Sequence, residues 1–360
     1  MRDLGHEWTE RRIRELEKRI RDAYEEAIDD IDDKMQTYIA RFIKRDEQLR
    51  DQLKAGKITK ADYQMWLNGQ VFQRKRWQAQ LDDLTDTLAR ANEIAMQIIN
   101  EEAPEVFAYN ANWASYTMEK RMDAAGYDFR RVVRPGGREV SEEESATSQT
   151  RGTVRFGWGL YDADAVKLLL RDEPDLLPPS RVDIPKDKRW NMGNITRQVM
   201  QGIVQGESVE QVANRLRTVA EMNIDSARTH AQTAMTAAQN AGREESYART
   251  ERLTGYTVER EWIATLDGYT REAHRTLDGQ HKPIDEAFEV MHKGRKYKIM
   301  FPGDPDADPR MVYNCRCTTA AWLPDFPPEN SKRRDDDPDR APIRDMTYRE
   351  WLEYKSGGLW

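Results

Sequence analysis

The sequence predicts a mainly α protein with a long N-terminal helical hairpin, a small β insert and a compact α+β domain toward the C-terminus. Three observations predict it. Charged residues make up 34% of the 360 residues and mean hydropathy is −0.91, a balance typical of long helices that each bury one stripe. Over the first hundred residues apolar side chains recur in steps of three and four, the period of a helix. From Tyr256 to Thr265 the pattern changes to the alternation of a strand, and the turn clusters Leu266-Asp267-Gly268 and Pro302-Gly303-Asp304-Pro305 follow.

At 38% hydrophobic content the chain has material for real cores, and its length allows two or three domains. It holds no apolar run of the roughly eighteen residues that a membrane span needs. An N-terminus rich in Arg and Glu reads as no signal peptide, and synthesis and residence in a cytosol are expected. A net charge of −7 and a pI near 5.5 argue against a general nucleic-acid binder, because phosphate contacts need clustered Lys and Arg; a local basic patch stays open. The two cysteines, Cys315 and Cys317, are one residue apart, a poor start for a structural disulfide.

Taken in order, Ile13, Leu16, Ile20, Ala23, Ala27, Ile31, Met35, Tyr38, Phe42, Leu49 and Leu53 mark a helix from about Trp8, with a stutter at Ala27, Ile31 and Met35. Lys54-Ala55-Gly56-Lys57 breaks it, and Thr59 with Asp62 caps the next helix. The second arm of the hairpin carries Trp77, Leu81, Leu84, Leu88, Ala91, Ala95 and Ile98 and is expected to end near Pro104. The hairpin either packs on itself and neighbouring helices or forms an arm for a partner, with Trp66 and Trp77 as candidate anchors.

A shorter helix is expected over Asn110–Ala125, then a strand pair from Tyr127–Val133 and Thr153–Trp158 around an acidic loop. Arg130, Arg131, Arg134 and Arg138 suit a phosphate backbone, but the acidic residues after them favour a solvated loop. A short helix over Tyr161–Leu170 precedes a linker with Pro174, Pro178, Pro179 and Pro185. Beyond Lys188 come a helix with Ile195, Val199 and Ile203, one capped by Ser208 with Val209, Val212, Leu216 and Val219, and an Ala-rich one opened by Asp225 or Ser226. The last carries Arg228, His230, Asn240 and Arg243, of which His230 reads as a surface histidine. The domain boundaries read from this are 1–105, 106–187, 188–323 and a polar tail over 324–360.

Chemistry collects between Trp262 and Cys317, which hold both cysteines and three of the five histidines. Thr270 is expected to cap a short helix with His274 and Asp278 on one face, four residues apart. Asn314 to Cys317 reads as extended, with both thiols on one face and Arg316 on the other. Zinc would take four ligands here: Cys315, Cys317, His274 and either Asp278 or His281. The competing reading is a pair of buried free cysteines that pack as small apolar groups. An enzyme with a Cys nucleophile beside His274 and Asp278, or a metal-free nuclease using His230, His274 and Arg271, has the residue types but no spacing that ties them together. Pro302-Gly303-Asp304 is a turn and not a phosphate loop, since no Gly-Lys-Ser/Thr follows.

The stretches Trp262-Ile263-Ala264-Thr265-Leu266-Asp267, Thr270-Arg271, His274, Leu277-Asp278-Gly279-Gln280, Pro302-Gly303-Asp304 and Asn314-Cys315-Arg316-Cys317 together resemble the head-morphogenesis domain of tailed-phage minor head proteins, the family typified by the F protein of phage Mu. The likeness covers about Lys188 to Leu323 and makes Trp262, Asp267, Arg271, His274, Asp278, Gly279 and Asn314 the motif core. It implies a minor capsid protein of the virion, made in the host cytoplasm, that acts in head assembly. The implied partners are the portal protein and capsid or scaffold proteins, with packaged double-stranded DNA as a further contact. It also implies metal binding at His274, Asp278, Cys315 and Cys317, and it implies no demonstrated reaction, so the chain is expected to be no enzyme. A hydrolase or nuclease built on the same cluster is the alternative. The Pro-rich tail, with Trp351 and Trp360, is either disordered or a docking peptide.

Overall fold

The computed structural model describes residues 3–72, 74–125, 133–134, 138–139, 160–172, 177, 184–205, 207, 209–265 and 269–326. The chain opens with α1 (Leu4–Lys54), α2 (Lys60–Phe72) and α3 (Arg74–Ala124). The break after α1 falls where the sequence places it, and Thr59 and Asp62 close a reciprocal capping box: the Asp62 N–H donates to Thr59 Oγ1 at 3.1 Å and the Thr59 N–H to Asp62 Oδ2 at 2.9 Å.

Helix α3 corrects the sequence reading. It runs through Pro104 and absorbs the separate helix expected over Asn110–Ala125. A mid-helix proline forfeits a backbone hydrogen bond and costs about 3 kcal/mol. Its neighbours Ala103, Val106 and Phe107 are buried, and their packing offsets the break.

After α3, β1 (Val133–Arg134) pairs antiparallel with β2 (Arg138–Glu139). The strand expected over Thr153–Trp158 and the acidic loop lie outside the described residues. Then come α4 (Ala163–Asp172), α5 (Ile184–Gln205) and α6 (Val209–Thr254). The break expected at Asp225 or Ser226 is absent. Ile224 and Ala227 are both buried, and the Thr229 hydroxyl donates back to the Asp225 carbonyl at 2.9 Å inside a continuous helix.

The chain divides into two compact units that do not follow its order, since α1, α3 and α6 each contribute to both. One holds Glu15–Ile99 and Ser180–Thr229. Its core joins Ile31, Leu81, Leu84, Leu88, Ile195, Val199, Val212, Leu216 and Val219 from α1, α3, α5 and α6. The seams run one residue later than the sequence reading at two points: Tyr24 is buried in place of Ala23, and Ile99 in place of Ile98. A true 3.6-residue period drifts past a strict seven-residue repeat in this way.

The other unit holds Met1–Arg14, Asn100–Pro179 and His230–Trp360. Its α+β part comprises β3 (Glu259–Ile263), α7 (Glu272–Leu277), β4 (His281–Pro283), β5 (Phe288–His292), β6 (Arg295–Ile299), α8 (Pro309–Val312) and β7 (Thr318–Trp322). Strand β3 lies between β4 and β7, antiparallel to both, with Glu261 opposite His281 and Trp262 opposite Thr319. The alternation along β3 turns Arg260 and Trp262 fully inward. Trp262, Leu277, Phe288, Val290, Ile299, Met311, Cys315 and Cys317 share one apolar cluster. Of the polar tail, residues beyond Phe326 lie outside the described set. Among the described residues no helix is long and apolar enough to cross a membrane.

Candidate metal centre

Helix α7 and the segment entering β7 bring His274, Cys315 and Cys317 together. Their ligand atoms lie within 4.8 Å of one another, and all three residues are buried. His274 Nδ1 stands 3.5 Å from Cys315 Sγ and 3.4 Å from Cys317 Sγ. Two ligands of one tetrahedral zinc, with bonds of roughly 2.3 Å to sulfur and 2.0 Å to nitrogen, would be about 3.5 Å apart. The donor set of one imidazole and two sulfurs suits a soft divalent cation.

The two thiols are shifted in opposite directions. The hydrogen bond with Cys317 is the chief influence holding the Cys315 thiol below its usual range, while the Cys317 thiol is pushed up by that same bond and by burial. The Cys317 N–H also points at Cys315 Sγ, at 3.4 Å. A bound cation would favour the thiolate form of both cysteines. The His274 ring packs edge-to-face on Trp262 with centroids 5.4 Å apart, and its Nε2 is buried with no hydrogen-bond partner among the described residues.

Asp278 does not join these three, and this corrects the expected ligand set. Helix α7 stops at Leu277, and Asp278 has already turned to ψ 123°. Its Oδ1 instead accepts the Ala264 N–H at 2.9 Å, tying the end of α7 to the exit of β3. Nor does Thr270 cap the helix. Its hydroxyl donates to the Thr265 carbonyl, and Arg271 is the N-cap, with no side-chain cap bond.

The other motif residues shape the backbone around the cluster. Gly279 takes φ 76° and donates its N–H to the Trp262 carbonyl at 2.8 Å, a conformation that favours glycine. Arg271 donates to the Tyr313 carbonyl. Asn314 takes φ 54° and donates its N–H to Thr233 Oγ1 at 2.9 Å, which suits an Asn at a left-handed position. Asp267 lies outside the described residues. His281 packs on Trp322 with centroids 4.6 Å apart, His292 lies 3.9 Å from Glu272, and His230 is exposed beside Tyr313; none of these belongs to the cluster.

Sequence reasoning named Asn240 and Arg243 as polar residues of α6 but missed that its polar face, with Gln232, Thr236 and Gln239, seats this segment. Thr236 donates to the Cys315 carbonyl at 2.7 Å, with Gln232 on the same oxygen at 3.3 Å. Asn240 Nδ2 donates to the carbonyls of Pro302 and Cys317 at 3.0 and 3.3 Å, while its Oδ1 accepts the Thr319 N–H at 3.0 Å. Gln239 donates to Thr318 Oγ1 at 2.7 Å. Arg243 donates to the Thr319 carbonyl at 2.6 Å, to Asn110 Oδ1 and to the Asp3 carboxylate at 2.8 Å. The spacing of these residues puts them on one helical face, and polar residues at that period within an Ala-rich helix were the available signal.

Beneath the sheet, Arg260 is fully buried. It donates to the carbonyls of Met300 and Pro283 at 2.6 and 2.7 Å, to that of Glu286, and to Glu244 Oε2 at 3.2 Å. Burial pushes the Glu244 carboxyl up to about 8, overcoming the lowering effect of Arg260.

A sequence profile described as Phage Mu protein F like protein matches residues 193–320. The chain is also similar to three catalogued proteins. The minor head protein GP7 of Bacillus phage SPP1 is 27% identical over 202 residues, 56% of this chain and 63% of that protein. The NAD(+)--arginine ADP-ribosyltransferase EFV of Enterococcus faecalis is 28% identical over 167 residues, 46% of this chain and 31% of that one. The uncharacterized protein YqbB of Bacillus subtilis is 28% identical over 132 residues, 36% of this chain and 41% of that protein. The matches thus span less than two thirds of each relative's length. No solved structure matches. Residues 193–320, which hold the His274, Cys315 and Cys317 cluster and the α6 face that seats it, are thus similar to Phage Mu protein F like proteins.

Proposed function

We propose that this chain is a minor head protein of a tailed phage, a non-enzymatic component of the virion that docks at the portal and contacts capsid or scaffold proteins and the packaged DNA. The observation that carries this is the family match over the stretch that folds around the buried cluster, supported by the likeness to the SPP1 minor head protein over 202 residues. In this reading His274, Cys315 and Cys317 supply three of the four ligands of a zinc ion that staples α7 to the segment entering β7, with no fourth ligand gathered among the described residues. Zinc when bound supplies coordination energy to the fold. Thr236, Gln232 and Asn240 fix the carbonyls of both cysteines, so the thiols are presented at fixed positions. The hydrolase alternative is disfavoured by burial, because a catalytic cluster needs access for its substrate. Transferase activity belongs to the Enterococcus faecalis protein, of which this chain matches less than a third.

The docking test is co-expression with the phage's portal and scaffold proteins. The chain is expected to sediment with assembled heads and to be retained by immobilised portal. Trp66, which packs on Tyr63 with centroids 6.1 Å apart on α2, is a candidate anchor. Trp66→Ala is expected to reduce retention by about tenfold or more if that residue is a hot spot. Heads that form normally but lack the chain would contradict the reading.

A further inference from the structure

We propose that the β5–β6 hairpin is a contact for the phosphate backbone of duplex DNA. The proposal rests on the head-protein reading only for the identity of the nucleic acid. In a chain of net charge −7, the stretch from Val290 to Gly303 contains Lys293, Arg295, Lys296 and Lys298 and no Asp or Glu. The hairpin sorts these by face. Phe288, Val290, Tyr297 and Ile299 pack into the apolar cluster, while the opposite face pairs Glu289 with Lys298 and Met291 with Lys296. The side chains of Lys296 and Lys298 are 55% and 68% exposed. Lys293 stands at the two-residue tip, at φ 50° before Gly294 at φ 74°.

Three features favour phosphate over an acidic protein surface. A two-stranded ribbon fits the major groove, which is roughly 12 Å wide. Lys296 and Lys298 project from one face about 6.8 Å apart, the axial span of two phosphate steps of about 3.4 Å each. Lysines also act as point charges for phosphate oxygens and lack the planar fork that selects carboxylates. An anion already sits between them: Glu289 lies 2.6 Å from Lys296 and 3.2 Å from Lys298. It is the sole carboxylate within the hairpin, while Asp308 of α8 lies 3.5 Å from Arg295, so a phosphate must displace Glu289 to reach the two lysines.

The test is fluorescence anisotropy of the full chain with a short labelled duplex across a salt titration. Lys293→Ala/Lys296→Ala/Lys298→Ala is expected to weaken binding on the order of 30-fold at low salt and to make the log–log salt slope shallower by about 2 to 3. Glu289→Gln removes the competing anion and is expected to tighten binding several-fold, a gain that misfolding cannot imitate. Both variants are expected to keep the wild-type melting temperature and portal retention. No binding by the wild-type chain, or an unchanged salt slope in the triple variant, overturns the proposal while intact portal retention leaves the head-protein reading standing. If the triple variant instead loses portal retention with DNA affinity unmoved, the hairpin serves an acidic protein and the proposal is wrong.

Discussion

Glu244 and Asp3 pull the stability of the protein in opposite directions along the pH axis. The unfolded chain releases the Glu244 proton near its ordinary value of 4.5, and the folded protein near 8. The folded state thus binds the extra proton between those values, and the resulting stability is full below about 4.5 and is lost as pH rises toward about 8. Glu244→Gln is expected to abolish this decline. In urea titrations at about pH 5 and pH 8 the wild type should lose a few kcal/mol that the variant keeps; identical losses would contradict the assignment. At Asp3 burial raises the carboxyl, but the charge and hydrogen bonds of Arg243 outweigh it and the net shift is downward. Its contribution is present above its ordinary value of 3.8 and disappears as pH falls through the depressed one. Residue by residue, the sequence reveals His274, Cys315 and Cys317 because imidazole and thiol are scarce and clustered here. It misplaces Asp278, since four-residue spacing implies a shared face only while the helix continues, and this helix ends at Leu277. Arg243 and Arg260 give no such signal, because burial of a guanidinium depends on carbonyls contributed from distant strands.

Helix α6 is the element on which the site depends. Asn240 serves three carbonyls and accepts from the Thr319 N–H and the Thr318 hydroxyl, all buried. Asn240→Ala removes these bonds from the Pro302 and Cys317 carbonyls and the Thr319 N–H and is expected to cost roughly 2 to 4 kcal/mol, read as a shift in the urea midpoint; a shift below experimental error would show that the α6 face is not what seats the segment. Gly242 sets how close α6 comes to α3, since a Cβ there would stand 2.3 Å from the Phe107 carbonyl oxygen. Gly242→Ala is expected to destabilise the protein by at least about 2 kcal/mol through overpacking against backbone. Helix identity and the β3 alternation were legible from period and composition. The lengths of α3 and α6 were not: Pro104 and Asp225 are local stop signals, and tertiary packing on both sides overrides them.

At the scale of the whole molecule, α1, α3 and α6 each contribute to both compact units, so the consecutive segments read from the sequence do not describe how the chain packs. Local signals such as linkers and caps mark chain order, whereas these units are set by contacts between residues far apart in the chain. The fold class is legible nonetheless, because composition, periodicity and turn clusters are all local properties of the sequence. At this scale the proposed metal staple of His274, Cys315 and Cys317 ties α7 to the segment entering β7. The most direct measurement is the zinc content of the full chain purified without chelator, beside a Cys315→Ser/Cys317→Ser variant, with thermal melting of each before and after chelator. The account predicts about one zinc per chain in the wild type, lost in the variant together with several degrees of melting temperature. A metal-free wild type whose melting is indifferent to chelator would contradict it and leave the two cysteines as core residues.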